Sequence, residues 1–280
     1  MQWRSGRRST NVEDRRGMRP GIAVGGGMGL LILLLIVWCM GGDPLALLQT
    51  QTAPQAPSTG SGPAPAAEDE AAQFVSAILA TTEDAWGTIF AENGVTYPSP
   101  TLVLFTDMVR SACGTSSSAT GPFYCPLDQK VYLDLGFFRE LARLGGPGDF
   151  AAAYVIGHEV GHHVQTVVGT GDEVRSLQQR RPGDANDLSV RLELQADCYA
   201  GVWAHRANRD QGGNFLEEGD VDEGLAAAAA IGDDRLQRTQ GRAMNPESFT
   251  HGTSTQRQQW LRRGLDSGDP DACDTFGAGA

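Results

Sequence analysis

Ala151-Ala152-Ala153-Tyr154-Val155-Ile156-Gly157-His158-Glu159-Val160-Gly161-His162-His163-Val164-Gln165 is the stretch from which the rest of the chain is read. Ile156, Val160, Val164 and Val167 recur at helical spacing, so the segment is a helix with one buried face. On a neighbouring face His158 and His162 lie one turn apart and can aim both rings at one point, with Glu159 beside them. Zinc takes imidazole nitrogens readily, and a catalytic zinc uses three protein ligands and keeps one position open. The spacing supplies two ligands. Gly157 and Gly161 each cost about 1 kcal/mol relative to alanine in a helix interior, which points either to a neighbouring backbone coming close or to glycines that are merely tolerated.

A third ligand is available downstream. After a polar segment containing Pro182, Gly183, Asp184 and Asn186, a helix runs from about Leu188 to Asn208, with Leu188, Leu192, Ala196, Tyr199 and Trp203 as its apolar seam. Glu193 and Asp197 stand four apart on it and share a face. A carboxylate can ligate zinc, and a second one can accept the free ring N–H of a ligating histidine.

Upstream, Gly145-Gly-Pro-Gly148 ends a short helix begun at Phe137, and Asp149 is placed to cap the histidine helix. Leu102–Phe105 and Lys130–Leu135 are short β-branched and aromatic runs that predict strands. An opening helix starts near Glu68 and stops at Asn93-Gly94. Asp222 to Leu236 predicts another helix, and Thr253-Ser-Thr-Gln256 is a capping-box pattern for a last one through Trp260 and Leu265. The expected fold class is therefore α+β, a mainly helical domain with a small β-sheet.

The pairing of His-Glu-x-x-His with a later Glu-x-x-x-Asp resembles the glutamate-zincin metallopeptidases, typified by thermolysin. Over a longer range the chain resembles the bacterial neutral zinc metallopeptidases. The matching residues are Asn11-Val-Glu-Asp-Arg-Arg-Gly17, Gly121-Pro-Phe-Tyr-Cys-Pro126, Val131-Tyr-Leu-Asp134, Gly157 to Gln165, Glu193-Leu-Gln-Ala-Asp-Cys-Tyr-Ala-Gly201 and His251-Gly252. The resemblance implies a membrane-anchored zinc peptidase domain with His158, His162 and Glu193 as ligands and Asp197 as the partner of His158. Its substrates would be proteins or peptides.

The expected chemistry is hydrolysis by a zinc-activated water, with Glu159 as general base and later proton donor to the leaving amine. His251 is the candidate donor to the oxyanion, as a neutral imidazole ahead of a helix start; Tyr154 and Tyr199 are rivals. His163 and His205 point away from the metal face. Val131, Tyr132 and Leu133 are expected as an exposed edge strand that holds extended peptide. The alternative is a zinc-stabilised envelope module that binds proteins without turnover. Hydrolysis of another amide, such as cell-wall peptide, is a third reading.

Charge and cysteine usage set the expected location. The net charge is −12, and residues 1–20 carry six arginines against Glu13 and Asp14, a local +4 that leaves −16 for the remainder. An acidic body of this kind repels phosphate backbones and argues against nucleic acid as a partner of the folded part. Residues 21–40 are uncharged, long enough to cross a bilayer core, and preceded by arginines; a cleaved signal peptide is the rival reading, for which Gly41-Gly42-Asp43-Pro44 is a poor cleavage site. The expectation is a cytoplasmic basic tail over 1–20, a single transmembrane helix over 21–40, a flexible Pro/Ala/Ser-rich stalk over 41–67 and an extracytoplasmic or periplasmic peptidase domain over 68–280, anchored in the plasma (inner) membrane. Of the five cysteines Cys39 falls in the span, which leaves an even number in an oxidising compartment. Cys113 with Cys125, and Cys198 with Cys273, is the favoured pairing, with free buried thiols as the alternative. Oligomeric state and substrate identity are not written in the sequence.

Overall fold

The computed structural model describes residues 1–17, 66–241 and 243–277, so the expected span over 21–40 and nearly all of the stalk lie outside the described residues. Among the described residues no helix is long and apolar enough to cross a membrane. In chain order the elements are β1 (Val12–Asp14), α1 (Ala66–Glu92), β2 (Thr101–Phe105), β3 (Met108–Ser111), β4 (Gly114–Ser117), β5 (Phe123–Cys125), β6 (Lys130–Asp134), α2 (Gly136–Leu144), α3 (Asp149–Val168), α4 (Thr170–Arg180), α5 (Ala185–Asp210), α6 (Asp220–Ala230), α7 (Asp233–Thr239) and α8 (Ser254–Ser267). The domain is mainly helical α+β with two small sheets.

The larger sheet has the order β1-β2-β6-β5, with β1, β2 and β6 parallel and β5 antiparallel to β6. β3 and β4 form a separate hairpin. One apolar core joins α1, the sheet, α3 and α5 through Val75, Ile78, Trp86, Leu102, Leu104, Val131, Ile156, Val160 and Trp203. The continuous apolar runs of β2 and β6 suit strands covered on both faces. Four short strands, β1, β5 and the β3–β4 pair, carry too little apolar pattern to be read in advance.

The first 17 residues are not a separate tail, and this corrects the expected boundary. Val12, Glu13 and Asp14 pair in register with Leu102, Val103 and Leu104. Trp3 is buried and meets Phe74 edge to face at 5.3 Å. Glu83 on α1 accepts from Ser9 Oγ, Asn11 Nδ2 and Arg7, and Lys130 reaches Glu13. Arg15 and Arg16 pair with Glu13 and Asp14. Several of the arginines that suggested a cytoplasmic tail are thus spent on carboxylates of the domain.

Two helix expectations change as well. Asp149 does not cap α3 from outside: the cap is Gly148, Asp149 is the first helical residue, and its carboxylate accepts from the Met1 amino group. The run Asp222–Leu236 is two helices rather than one, because Gly232 lies against Ser254, where a Cβ would come 2.4 Å from the Ser254 nitrogen. The capping box at Thr253 and Gln256 is present at the start of α8. Disulfides join Cys113 to Cys125 and Cys198 to Cys273, the favoured pairing.

Candidate metal centre

α3 and α5 cross with their backbones close together. A Cβ on Gly161 would stand 3.0 Å from the Ala196 carbonyl oxygen, so glycine there lets α5 settle onto α3. That approach brings Glu193 of α5 over the two histidines of α3. His158 Nε2 lies 3.2 Å from Glu193 Oε2 and His162 Nε2 lies 3.4 Å from Glu193 Oε1. One ligand atom from each of the three residues falls within 4.8 Å of the others, a spacing that fits a single metal ion.

Each imidazole is held through its other nitrogen. His158 Nδ1 donates to Asp197 Oδ1 at 2.8 Å, and the fully buried Asp197 also accepts from Tyr154 Oη at 2.5 Å and from Arg257 Nε and Nη2 at 2.8 Å each. His162 Nδ1 meets Gln165 Oε1 at 2.9 Å. Both Nε2 atoms therefore face Glu193, and the donor set of two imidazoles and one carboxylate suits zinc with a position to spare.

The charges reinforce this geometry. Burial pulls the His158 imidazole down, but the Asp197 carboxylate and Glu193 outweigh it and push it up to about 10. His162 is raised in the same way, against burial, chiefly by Glu193. Glu193 is held well below the usual carboxylate range: burial opposes this, and His162 and His158 prevail. Burial also opposes ionisation of Asp197, where Arg257 and His158 win. Without metal the site shares protons among these groups, and a cation would replace them.

Glu159 differs from all of these. It is buried, burial raises its pKa, and it makes no side-chain hydrogen bond among the described residues. It lines the same cleft as His158, His162, Glu193 and His251, an open space of about 1270 Å³. His251 sits half-exposed there, its Nδ1 3.2 Å from Asp233 Oδ1, while Asp233 Oδ2 accepts the backbone N–H of Thr250, His251 and Gly252. The Asp233 hydrogen bond raises the His251 pKa against burial. Thr250 Oγ1 also lies 3.0 Å from Nδ1, and the nearby Asp233 carboxylate favours the charged ring over the neutral form expected.

The rival donors do not reach the cleft. Tyr154 is buried under Asp197, and Tyr199 packs against Trp86 at 5.3 Å. His163 bonds Tyr124 Oη and the Pro98 carbonyl, and His205 Nδ1 bonds the Leu265 carbonyl. The expected edge at Val131, Tyr132 and Leu133 is overturned: β6 lies between β2 and β5, and each of these residues is 1% exposed. The outer strand beside β6 is β5, and its Phe123 and Tyr124 line the cleft.

Sequence reasoning missed Arg257, Gln165, Gln195 and Asp233. A buried arginine in the first turns of α8 has no pattern that sets it apart from the surface arginines Arg262 and Arg263. Asp233 had a weak signal, since an Asp-Asp pair after a glycine is a helix-start pattern.

Residues 1–276 match the family model described as "Putative neutral zinc metallopeptidase". The chain is 51% identical to YpfJ of Escherichia coli (strain K12) over 99% of each. It is 46% identical to Rv2575 of Mycobacterium tuberculosis (strain ATCC 25618 / H37Rv), over 65% of this chain and 64% of that one. No solved structure matches it.

Proposed function

The chain belongs to the neutral zinc metallopeptidase family, and from that premise we propose that it is a zinc-dependent peptidase acting on protein or peptide substrates. One observation carries the proposal: a buried, unbonded Glu159 shares a cleft with a three-ligand group that leaves a metal one open position. A structural zinc site needs neither the base nor the opening.

His158, His162 and Glu193 would hold the zinc, which when bound polarises a carbonyl and makes water acidic enough to react near neutral pH. Glu159 takes the proton as the water oxygen attacks the peptide carbon, and returns it to the amine nitrogen as the C–N bond breaks. His251, protonated and turned by Asp233, offers its Nε2–H to the oxyanion. An extended substrate is best held along the open side of β5, through strand addition. The test is peptide-library cleavage by the full chain loaded with zinc, beside Glu159→Gln. Cleavage by the wild type and its loss by about 10²- to 10⁴-fold in the variant, at equal zinc content, are expected. Zinc binding without cleavage by either would leave the non-catalytic binding module instead.

The two disulfides support an extracytoplasmic domain. The strand pairing of residues 12–14 supports placing residues 1–17 on that same side. A chain crossing once between residues 17 and 66 would put a bilayer between β1 and β2, so we do not retain the single-pass arrangement with a cytoplasmic amino terminus. Impermeant maleimide labelling of Ser5→Cys and of Ser248→Cys, each in a Cys39→Ser background, tests this. Labelling of both from the same side is expected, and labelling from opposite sides would sink it.

A further inference from the structure

The two histidines of the centre are supported by unlike means. Behind His158 stands the ionised Asp197–Arg257 pair; behind His162 stands a run of neutral amides. Gln165 Oε1 faces His162 Nδ1, and Gln165 Nε2 donates to the Leu192 carbonyl at 2.7 Å and to Gln195 Oε1 at 3.1 Å. Gln195 Nε2 then donates to the Cys273 carbonyl at 3.1 Å. Gln165 is 2% exposed and Gln195 6%, so water does not replace these partners.

This run has a direction. A backbone carbonyl only accepts, so the Cys273 carbonyl requires the NH2 group of Gln195 and turns its oxygen toward Gln165. That oxygen and the Leu192 carbonyl together claim both N–H bonds of Gln165, whose own oxygen must then face the imidazole. An oxygen at that place accepts, so His162 carries its proton on Nδ1 and its Nε2 lone pair is left toward Glu193 and His158. Reversing either amide would set oxygen against oxygen in a buried place.

The anchoring end is itself tied down. Cys273 is disulfide-bonded to Cys198, the residue after Asp197 on α5. Two residues on, Thr275 Oγ1 donates to the Arg191 carbonyl at 2.8 Å and the Thr275 carbonyl accepts from Arg191 Nη1 at 3.0 Å. We infer that Gln165 and Gln195 are positioning residues which, anchored on the Cys273 carbonyl of the carboxy-terminal tail, fix the Nε2-free tautomer of His162 for the metal. The inference rests on the metal reading proposed above.

Its test is zinc affinity by chelator competition for the wild type, Gln165→Met and Gln195→Met, with the histidine ring protons of each zinc-loaded chain followed by 15N NMR. Methionine keeps the length and removes both the donor and the acceptor. We expect Gln165→Met to weaken zinc binding by about 10- to 100-fold. Gln195→Met should weaken it by less, because Leu192 still orients Gln165. The loaded wild type should show a slowly exchanging Nδ1–H on His162, with faster exchange in both variants. Affinities within twofold of wild type, or a His162 ring without that proton, would overturn the inference. Gln195→Met, two hydrogen bonds removed from His162, decides the matter if Gln165→Met does not fold. A wild type that takes up no zinc fails at the metal reading and removes this inference with it.

Discussion

Arg257 grips Asp197 with two of its nitrogens, Nε on Oδ2 and Nη2 on Oδ1, both at 2.8 Å, and neither side chain is more than 2% exposed. Asp197 in turn orients His158. A buried pair of this kind leaves a stranded charge when one member goes, which costs about 3–5 kcal/mol. Arg257→Met and Asp197→Asn should each lower stability to urea by amounts in that range. The double variant should lose less than the two losses added together, since no charge is left alone. Strict additivity would show that the two residues do not act as a unit.

His251 gives a pH prediction. Asp233 raises its pKa above the ordinary 6.5, so the protonated ring that donates at Nε2 persists to higher pH and is lost as pH rises through the folded value. Asp233→Asn keeps an oxygen for the three backbone N–H groups but removes the charge. The alkaline limb of the activity profile should therefore move to lower pH in the variant, with zinc content unchanged. A limb that stays in place, or moves upward, would remove His251 from the mechanism.

Two helical glycines should respond to alanine with opposite signs. On Gly264 of α8 a Cβ would stand 2.0 Å from the Cys198 carbonyl oxygen, and backbone cannot yield there. On Gly87 of α1 a Cβ meets nothing within 4 Å. Gly264→Ala should destabilise by about 1–3 kcal/mol or more, and Gly87→Ala should stabilise by about 0.5–1 kcal/mol. Thermal melts of the two variants against the parent check both.

Trp3 measures whether the first residues belong to the domain. It is 7% exposed, packs on Phe74 and has Arg4 stacked over its ring at 4.7 Å. Trp3→Ala should cost about 3 kcal/mol, read by urea unfolding of the full chain. A change below about 0.5 kcal/mol is what surface positions show, and would mean that the segment is carried rather than used.

The long helices were legible in the sequence because their apolar periods run for several turns, and β2 and β6 because both faces are buried. His158, Glu159 and His162 were legible as a spacing, and Glu193 and Asp197 as a second spacing on another helix. What could not be read was partnership across the chain. Nothing near Val12 says that it pairs with Leu102, since a three-residue strand has no period of its own. The edge was misplaced for a related reason: Val131-Tyr-Leu133 has the composition of any strand, and only the positions of β2 and β5 make it interior. Arg257 and Gln195 are unremarkable letters until α8 and the carboxy-terminal tail fold back over α5. The neutral form expected of His251 was a local inference from a helix start, which could not include a carboxylate 18 residues earlier that favours the charged ring.

The order in which the polypeptide is made acquires a meaning from α8. A nascent chain that has delivered α5 already carries both histidines, Glu159, Glu193 and Asp197. It lacks Arg257, 60 residues beyond Asp197, and it lacks the Cys273 carbonyl on which Gln195 rests. Asp197 then has only His158 to keep it ionised, and Gln165 is turned toward His162 by the Leu192 carbonyl alone. On the metal reading, the ligands are complete once α5 is made, and the last helix and tail add Arg257 behind Asp197 and the Cys273 carbonyl behind Gln195.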